Sequence, residues 1–246
     1  MAKYALVACE VARKEFDLLV PGSKHEVDII YIDMGLHVQG GEKMIVKLQE
    51  TLDAIDQTGY DAILLGYGLC NNGICSLHAN IPIVVPRAHD CITLFMGSRQ
   101  SYRDYFDTHK GTYFVTTGAW GTDLTFELMD GAFSKDVLRA EYMEKYDEEE
   151  AEYLLEMLGD PLKQYRRLTF VNNGLGDAET VRTKAREVAE HKNWEFDEFP
   201  GNTDILSGLV SGDWDPAVFL VVRPGEQIAQ AFTDEEIVRA VSPVLA

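Results

Sequence analysis

Short runs of uninterrupted apolar residues, separated by segments of helical periodicity, constrain this chain more than any other feature. Tyr4–Ala8 reads YALVA, Ala62–Leu65 reads AILL and Ile81–Val85 reads IPIVV. A strand that is apolar in both directions must be covered on both faces, as strands of a parallel sheet are. Val27–Ile32 (VDIIYI), Asp61–Gly66 and Thr112–Thr116 (TYFVT) extend the series. Between them, Val11–Leu19 predicts a short helix closed by the Pro21-Gly22 turn. Glu42–Ile55 places Met44, Ile45, Leu48, Leu52 and Ile55 on one side at helical spacing. Strands alternating with helices of this length predict an α/β protein, a parallel Rossmann-like sheet with flanking helices.

The character changes near residue 124. Acids and helix formers dominate 124–162 (EYMEKYDEEEAEYLLEMLGD), with no β-branched residue between Leu138 and Leu162. One or two amphipathic helices are expected there, and Asp147–Glu150 reads as a solvated face. After Pro161 the alternation resumes with Arg167–Val171, a helix over Asp177–His191 capped by Asp177, extended Trp194–Phe199, a helix over Thr203–Val210 and a strand at Phe219–Val222. The organisation read from this is an N-terminal α/β unit (1–123), an acidic helical segment (124–162) and a smaller C-terminal α/β unit (163–246).

Composition narrows the partners. The formal charge of −19, from 41 acids against 22 bases, argues against nucleic acid, whose phosphates are bound by clustered Lys and Arg, and against an anionic membrane surface. No apolar run approaches the ~20 residues that span a bilayer. The opening MAKYALVACEVARKEF is too short and too soon charged for a signal peptide, so a cytoplasmic location is expected. There, the four cysteines are expected as ligands, nucleophiles or core residues rather than disulfides.

Where those cysteines fall gives them meaning. Tyr4–Ala8 runs into Cys9-Glu10, Ala62–Leu65 into Gly66-Tyr67-Gly68-Leu69-Cys70, and Ile81–Val85 into Pro86-Arg87-Ala88-His89-Asp90-Cys91. In open α/β sheets, ligands sit beyond the carboxyl ends of the strands. Three strands thus deliver Cys9, Cys70, His89 and Cys91 to one edge. If the segment stays extended, His89 and Cys91 point the same way. Thiolate with imidazole is a ligand set for zinc, and thiolates also suit an iron–sulfur cluster. The competing readings are small buried cysteines with His89-Asp90 as a helix cap, or a metal-free cysteine nucleophile activated by His89. Cys75, five residues past Cys70, is expected to stand aside. Glu10 and Asp90 adjoin proposed ligands and are the candidate acid–base groups. Arg87, Tyr67 and Trp120 are the candidate substrate-binding residues. Gly66-Tyr67-Gly68 lacks the third glycine of a dinucleotide fingerprint, and Asn172-Asn173-Gly174-Leu175-Gly176-Asp177 offers amides to an anion or is simply a turn.

Ala8-Cys9-Glu10, Gly66–Cys70, Pro86–Cys91 with Met96-Gly97-Ser98, Gly111-Thr112-Tyr113 and Thr117-Gly118-Ala119-Trp120 together resemble the bacterial and archaeal family catalogued as domain of unknown function 1638. The later Gly212-Asp213-Trp214-Asp215 and Val222-Arg223-Pro224-Gly225 carry the resemblance nearly to the end of the chain. Cysteine is not usual in that family at the position of Cys75. The resemblance implies one-carbon or methylamine-type metabolism, since several members are encoded beside corrinoid-dependent methyltransferase systems. The expectation is a zinc-binding protein that transfers methyl groups to or from thiols, acting on a small molecule or a corrinoid protein. Its rival is a non-catalytic accessory protein with a structural metal or iron–sulfur site.

Overall fold

The computed structural model describes residues 1–118, 135–158, 161–233 and 236–243. Its larger sheet has the order β2-β1-β3-β4-β8, built from β1 (Lys3–Cys9), β2 (Glu26–Ile32), β3 (Ala62–Gly66), β4 (Ile83–Pro86) and β8 (Phe219–Val222). The first four are parallel, and β8 joins β4 antiparallel. The fold is therefore mixed α/β around a mostly parallel sheet. Leu6, Val7 and Ala8 of β1 and Ile63, Leu64 and Leu65 of β3 have no exposed surface, as their unbroken apolar runs require. Each large aliphatic side chain so buried contributes about 1.5–3 kcal/mol. Helix α1 (Arg13–Leu19) follows β1, and α2 (Gly41–Ala54) buries Met44, Leu48 and Leu52 along one stripe.

The second sheet is parallel, in the order β5-β6-β7, from β5 (Thr112–Thr116), β6 (Arg167–Asn172) and β7 (Glu195–Pro200). Leu168, Phe170 and Val171 fill its core against Val181, Ala185 and Ala189 of the long helix Ala178–His191. Within the acidic stretch lie the helices Lys135–Met143 and Glu148–Leu158.

Sheet membership divides the chain differently from the expected units. The strand Thr112–Thr116, placed with the N-terminal unit, pairs with Arg167–Asn172, and Phe219–Val222, placed with the C-terminal unit, closes the first sheet against Ile83–Pro86. Apolar runs state that a strand is buried, and the choice of neighbour is made by packing. The helix Asp204–Ser211 carries the chain back, packing on α1, β3 and β4. Two helices that periodicity did not reveal, α3 (Cys91–Met96) and α4 (Arg99–Thr108), follow β4. Among the described residues, no helix is long and apolar enough to cross a membrane.

Candidate thiol centre at the strand switch point

In the order β2-β1-β3-β4 the chain leaves β1 toward one side and later passes to its other side, so the connections diverge between β1 and β3. That is the place where open α/β sheets leave a crevice for ligands. Cys9 ends β1 and Cys70 closes the loop after β3. Cys91 opens α3 after β4. Three of the four expected ligands therefore come from adjacent strand ends.

Two details hold the loops together. Leu69 N–H donates to Ala88 O at 2.8 Å and Cys70 N–H to His89 O at 2.9 Å. This approach requires Gly68, where an added Cβ would lie 2.7 Å from the Asp90 backbone. Cys70, Asn71 and Asn72 then take φ values of 45°, 57° and 63°. Asn tolerates this left-handed region, whereas Cys bears a steric cost of about 1–2 kcal/mol.

Cys9 and Cys70 are buried and Cys91 half-buried, and charge on Cys9 makes both Cys70 and Cys91 costlier to ionise. Burial pushes the Cys9 thiol up to about 11, despite a favourable contact with the Val11 N–H. Burial, then the charges of Asp90 and Cys9, push Cys70 higher still, against the Gly68 and Cys91 N–H groups that face its sulfur. Burial and the neighbouring Cys70, Asp90 and Cys9 do the same to Cys91. Among them stands the phenol of Tyr67, 1% exposed, whose hydroxyl has no hydrogen-bond partner. Burial, with Cys9, Cys70 and Cys91 around it, raises that phenol far above its ordinary range.

The histidine of the cluster differs from the expected one. His89 is exposed and stacks on Tyr102 at 6.3 Å. The reason is local: Asp90 caps α3, its Oδ1 accepting from Thr93 N–H at 3.1 Å. Asp90 is itself extended, but the helix begins at Cys91, so the extended run ends there and His89 is left exposed while Cys91 joins the cluster. His37, in the turn after β2, instead brings Nε2 to 3.6 Å from Cys9 Sγ and its ring to 6.4 Å from that of Tyr67. Burial lowers its pKa, which favours the neutral imidazole that ligates metals. The rule that singled out the cysteines, a reactive residue just past a strand, applies equally to His37 after Val27–Ile32.

The other candidates have structural partners. Glu10 pairs with Arg13 at 2.6 Å. Arg87 donates to the carbonyls of Pro216, Glu236 and Val238, pinning the C-terminal hairpin Gln227–Gln230/Val238–Val241. Tyr67 lies inside the cluster rather than on an open wall. Asp90 remains at the site, with Oδ2 accepting from the Tyr102 hydroxyl at 2.7 Å. Trp120 lies outside the described residues. Cys75 sits beside the Gln230 N–H, where its loop meets the strand Gln227–Gln230.

Cys91, His37 and Asp90 border a cavity of about 660 Å³ whose other walls include Tyr102, Tyr113 and Phe114. Among the described residues, no group of three or more His, Cys, Asp and Glu side chains is gathered closely enough to hold a metal ion. The arrangement is thus a buried set of thiols with one imidazole, opening through Cys91 onto an aromatic-walled cavity.

A protein with this mixed α/β fold and a thiol-bearing switch point falls within a known family. The model of the family described as protein of unknown function DUF1638 matches residues 31–210, more than half of the chain, and the chain belongs to that family. No curated protein and no solved structure matches it.

Proposed function

We propose that Cys9, Cys70 and Cys91, with His37 as the fourth donor in place of His89, form a soft-metal site whose ion is zinc. One observation carries this reading: four adjacent strands deliver three thiols and an imidazole to the switch point, and two of these groups border a cavity. Thiolate and imidazole are the donors that zinc prefers. The N–H groups facing Cys70 and the unpartnered Tyr67 hydroxyl suit ionised sulfur, because each can donate to a thiolate. Three like charges, two of them buried, need a compensating cation, and binding would draw the side chains closer than they now stand.

Bound zinc supplies a thiolate at neutral pH by lowering the thiol pKa. The first sheet would then serve as a Rossmann-like support for transfer of a methyl or related alkyl group at sulfur. The cavity beside Cys91 would hold the small substrate. Cys91 would yield its place on the ion to an incoming thiol, whose proton would pass to Asp90, fixed by Tyr102 and Thr93. The thiolate would take the alkyl group as the donor leaves with the bonding electron pair. A corrinoid-linked, cytoplasmic setting is part of this proposal. Burial of Cys9 and Cys70 favours a second reading, a closed structural or iron–sulfur site in an accessory protein that docks on a corrinoid protein or methyltransferase.

Elemental analysis of protein purified without oxygen and without a histidine tag tests both. The expected result is about one zinc per chain, lost in Cys70→Ala, kept in Cys75→Ala, weakened in His37→Ala and unaffected by His89→Ala. Iron with broad visible absorption supports the second reading. Protein without stoichiometric metal overturns both.

A further inference from the structure

Four buried side-chain oxygens lack a hydrogen-bond partner among the described residues, and three of them belong to adjoining residues: Asn173 contacts Glu15, and Gly118, next to Thr117, approaches Glu15 Oε2. They are Glu15 Oε2, Thr117 Oγ1 and Asn173 Oδ1. Glu15 belongs to α1, Thr117 directly follows β5 and Asn173 directly follows β6. Glu15 and Thr117 are each 0% exposed. The site therefore sits where the carboxyl edge of the second sheet meets the first helix of the other sheet, again the edge that carries ligands in α/β folds.

Several contacts fix the group. Asn173 Nδ2 donates to Glu15 Oε1 at 3.3 Å. This orients the amide, since only its nitrogen can donate to a carboxylate, and leaves Oδ1 as the open atom. Lys14 Nζ donates to the Thr117 carbonyl at 2.9 Å, and no hydrogen bond joins it to the three open oxygens. Glycines keep the surroundings tight: an added Cβ at Gly118 would lie 1.9 Å from Val11 O and 3.5 Å from Glu15 Oε2, and one at Gly201 would lie 2.2 Å from Asn173 Oδ1.

Carboxylate and amide oxygens only accept, and a hydroxyl does so readily. What the site lacks is a compact donor, and because one of the oxygens belongs to a buried carboxyl, the partner that matches it carries positive charge. Calcium asks for six or more oxygen ligands and magnesium for an octahedron that keeps several waters, room that the close glycine contacts here do not leave. An ammonium group has three or more N–H donors, no acceptor and one charge, which answers three oxygens of which one is anionic.

We propose that Glu15, Thr117 and Asn173 form a binding site for one ammonium group, either the free ammonium ion or the ammonium end of a small primary amine. The two sources share the recognising chemistry. The site is separate from the thiol centre and stands or falls independently of it.

The test uses the full-length unlabelled protein titrated with 15N-ammonium chloride, observed in a 15N-edited proton spectrum, where buried ammonium exchanges slowly enough to give its own signal. The expected result is a saturable signal at one site per chain, with affinity at least tenfold weaker in Thr117→Val and in Glu15→Gln. Thr117→Val preserves size and shape, so it reports on the hydroxyl even if Glu15→Gln folds poorly. Ethylamine displacing the signal at lower concentration than ammonium assigns the site to an amine ligand, and failure to displace assigns it to the free ion; both sustain the proposal. Absence of a saturable signal overturns it, as does unchanged affinity in Thr117→Val or equally effective displacement by potassium, which has the charge and size but no N–H.

Discussion

At the carboxyl edge of the first sheet the strand ends carry sulfur and imidazole; at that of the second they carry carboxylate, amide and hydroxyl oxygen. The two edges share an architecture and differ in how they tolerate being buried without a ligand. A thiol can remain neutral in an apolar setting at little cost, and Cys9, Cys70 and Cys91 are pushed that way by burial. A carboxyl group at 0% exposure is likewise pushed toward its neutral form, but its oxygens, with those of Thr117 and Asn173, still need hydrogen-bond partners that a thiol does without. The first edge is therefore stable as a set of neutral thiols, which the proposed soft cation would convert to thiolates. The second is short of a partner whenever Glu15 is charged.

The sharpest way to break this comparison is to exchange the variants. Cys70→Ala should abolish metal content while leaving ammonium binding intact, and Thr117→Val should do the reverse. A chelator strong enough to strip zinc should leave the second site unmoved. If either variant disables both edges, they are one site, and elemental analysis beside the ammonium titration decides.

Next in size is the packing between the sheets. Gly118→Ala drives a Cβ into Val11 O and should cost about 1–3 kcal/mol, as overpacking does. Gly22→Ala, where nothing lies within 4 Å, should be near neutral. Urea midpoints of the two variants give the difference.

The helix caps compare the edges more gently. Asp90 caps α3 and also holds Tyr102, whereas Asp177 caps its helix through Thr180 and, among the described residues, hydrogen-bonds no side chain from another element. Loss of a cap costs about 0.5–2 kcal/mol, so Asp90→Ala should fall at the upper end and Asp177→Ala near the middle. Equal losses in thermal unfolding would show that the Tyr102 contact adds nothing.

The smallest effect is in pH dependence. Because the folded pKa of Glu15 lies above its unfolded value, the folded state holds the extra proton. Its stability contribution is whole below the ordinary carboxyl range, near pH ~4.3, and is lost as pH rises through the raised folded value. Glu15→Gln should flatten that decline, and ammonium should oppose it in the parent protein. A decline equally steep in Glu15→Gln would place its origin elsewhere.

Much of this was readable from residues in order. Unbroken runs such as YALVA and AILL gave buried strands, the spacing of Met44, Leu48 and Leu52 gave the face of α2, and the position of Cys9, Cys70 and Cys91 just past strands gave the thiol edge. These are local consequences of periodicity and of the rule that reactive groups follow strand ends. The exposure of His89 is not legible in the sequence, because it follows from the helix that Asp90 caps at Cys91. Nor are the partners of Arg87 and Glu10, Val238 among them, which are far off in sequence or chosen by side-chain reach.

What the sequence by itself determined is the chemistry available: thiols, imidazoles and a carboxyl on α/β scaffolding. Only the tertiary structure decided which of them meet. The pairing of Thr112–Thr116 with Arg167–Asn172, the return of Phe219–Val222 to the first sheet and the approach of Glu15 to Asn173, 158 positions later, depend on complementary packing between distant segments. Strand periodicity carries no information about that choice, because an apolar face fits many partners until shape and the satisfaction of polar groups select one.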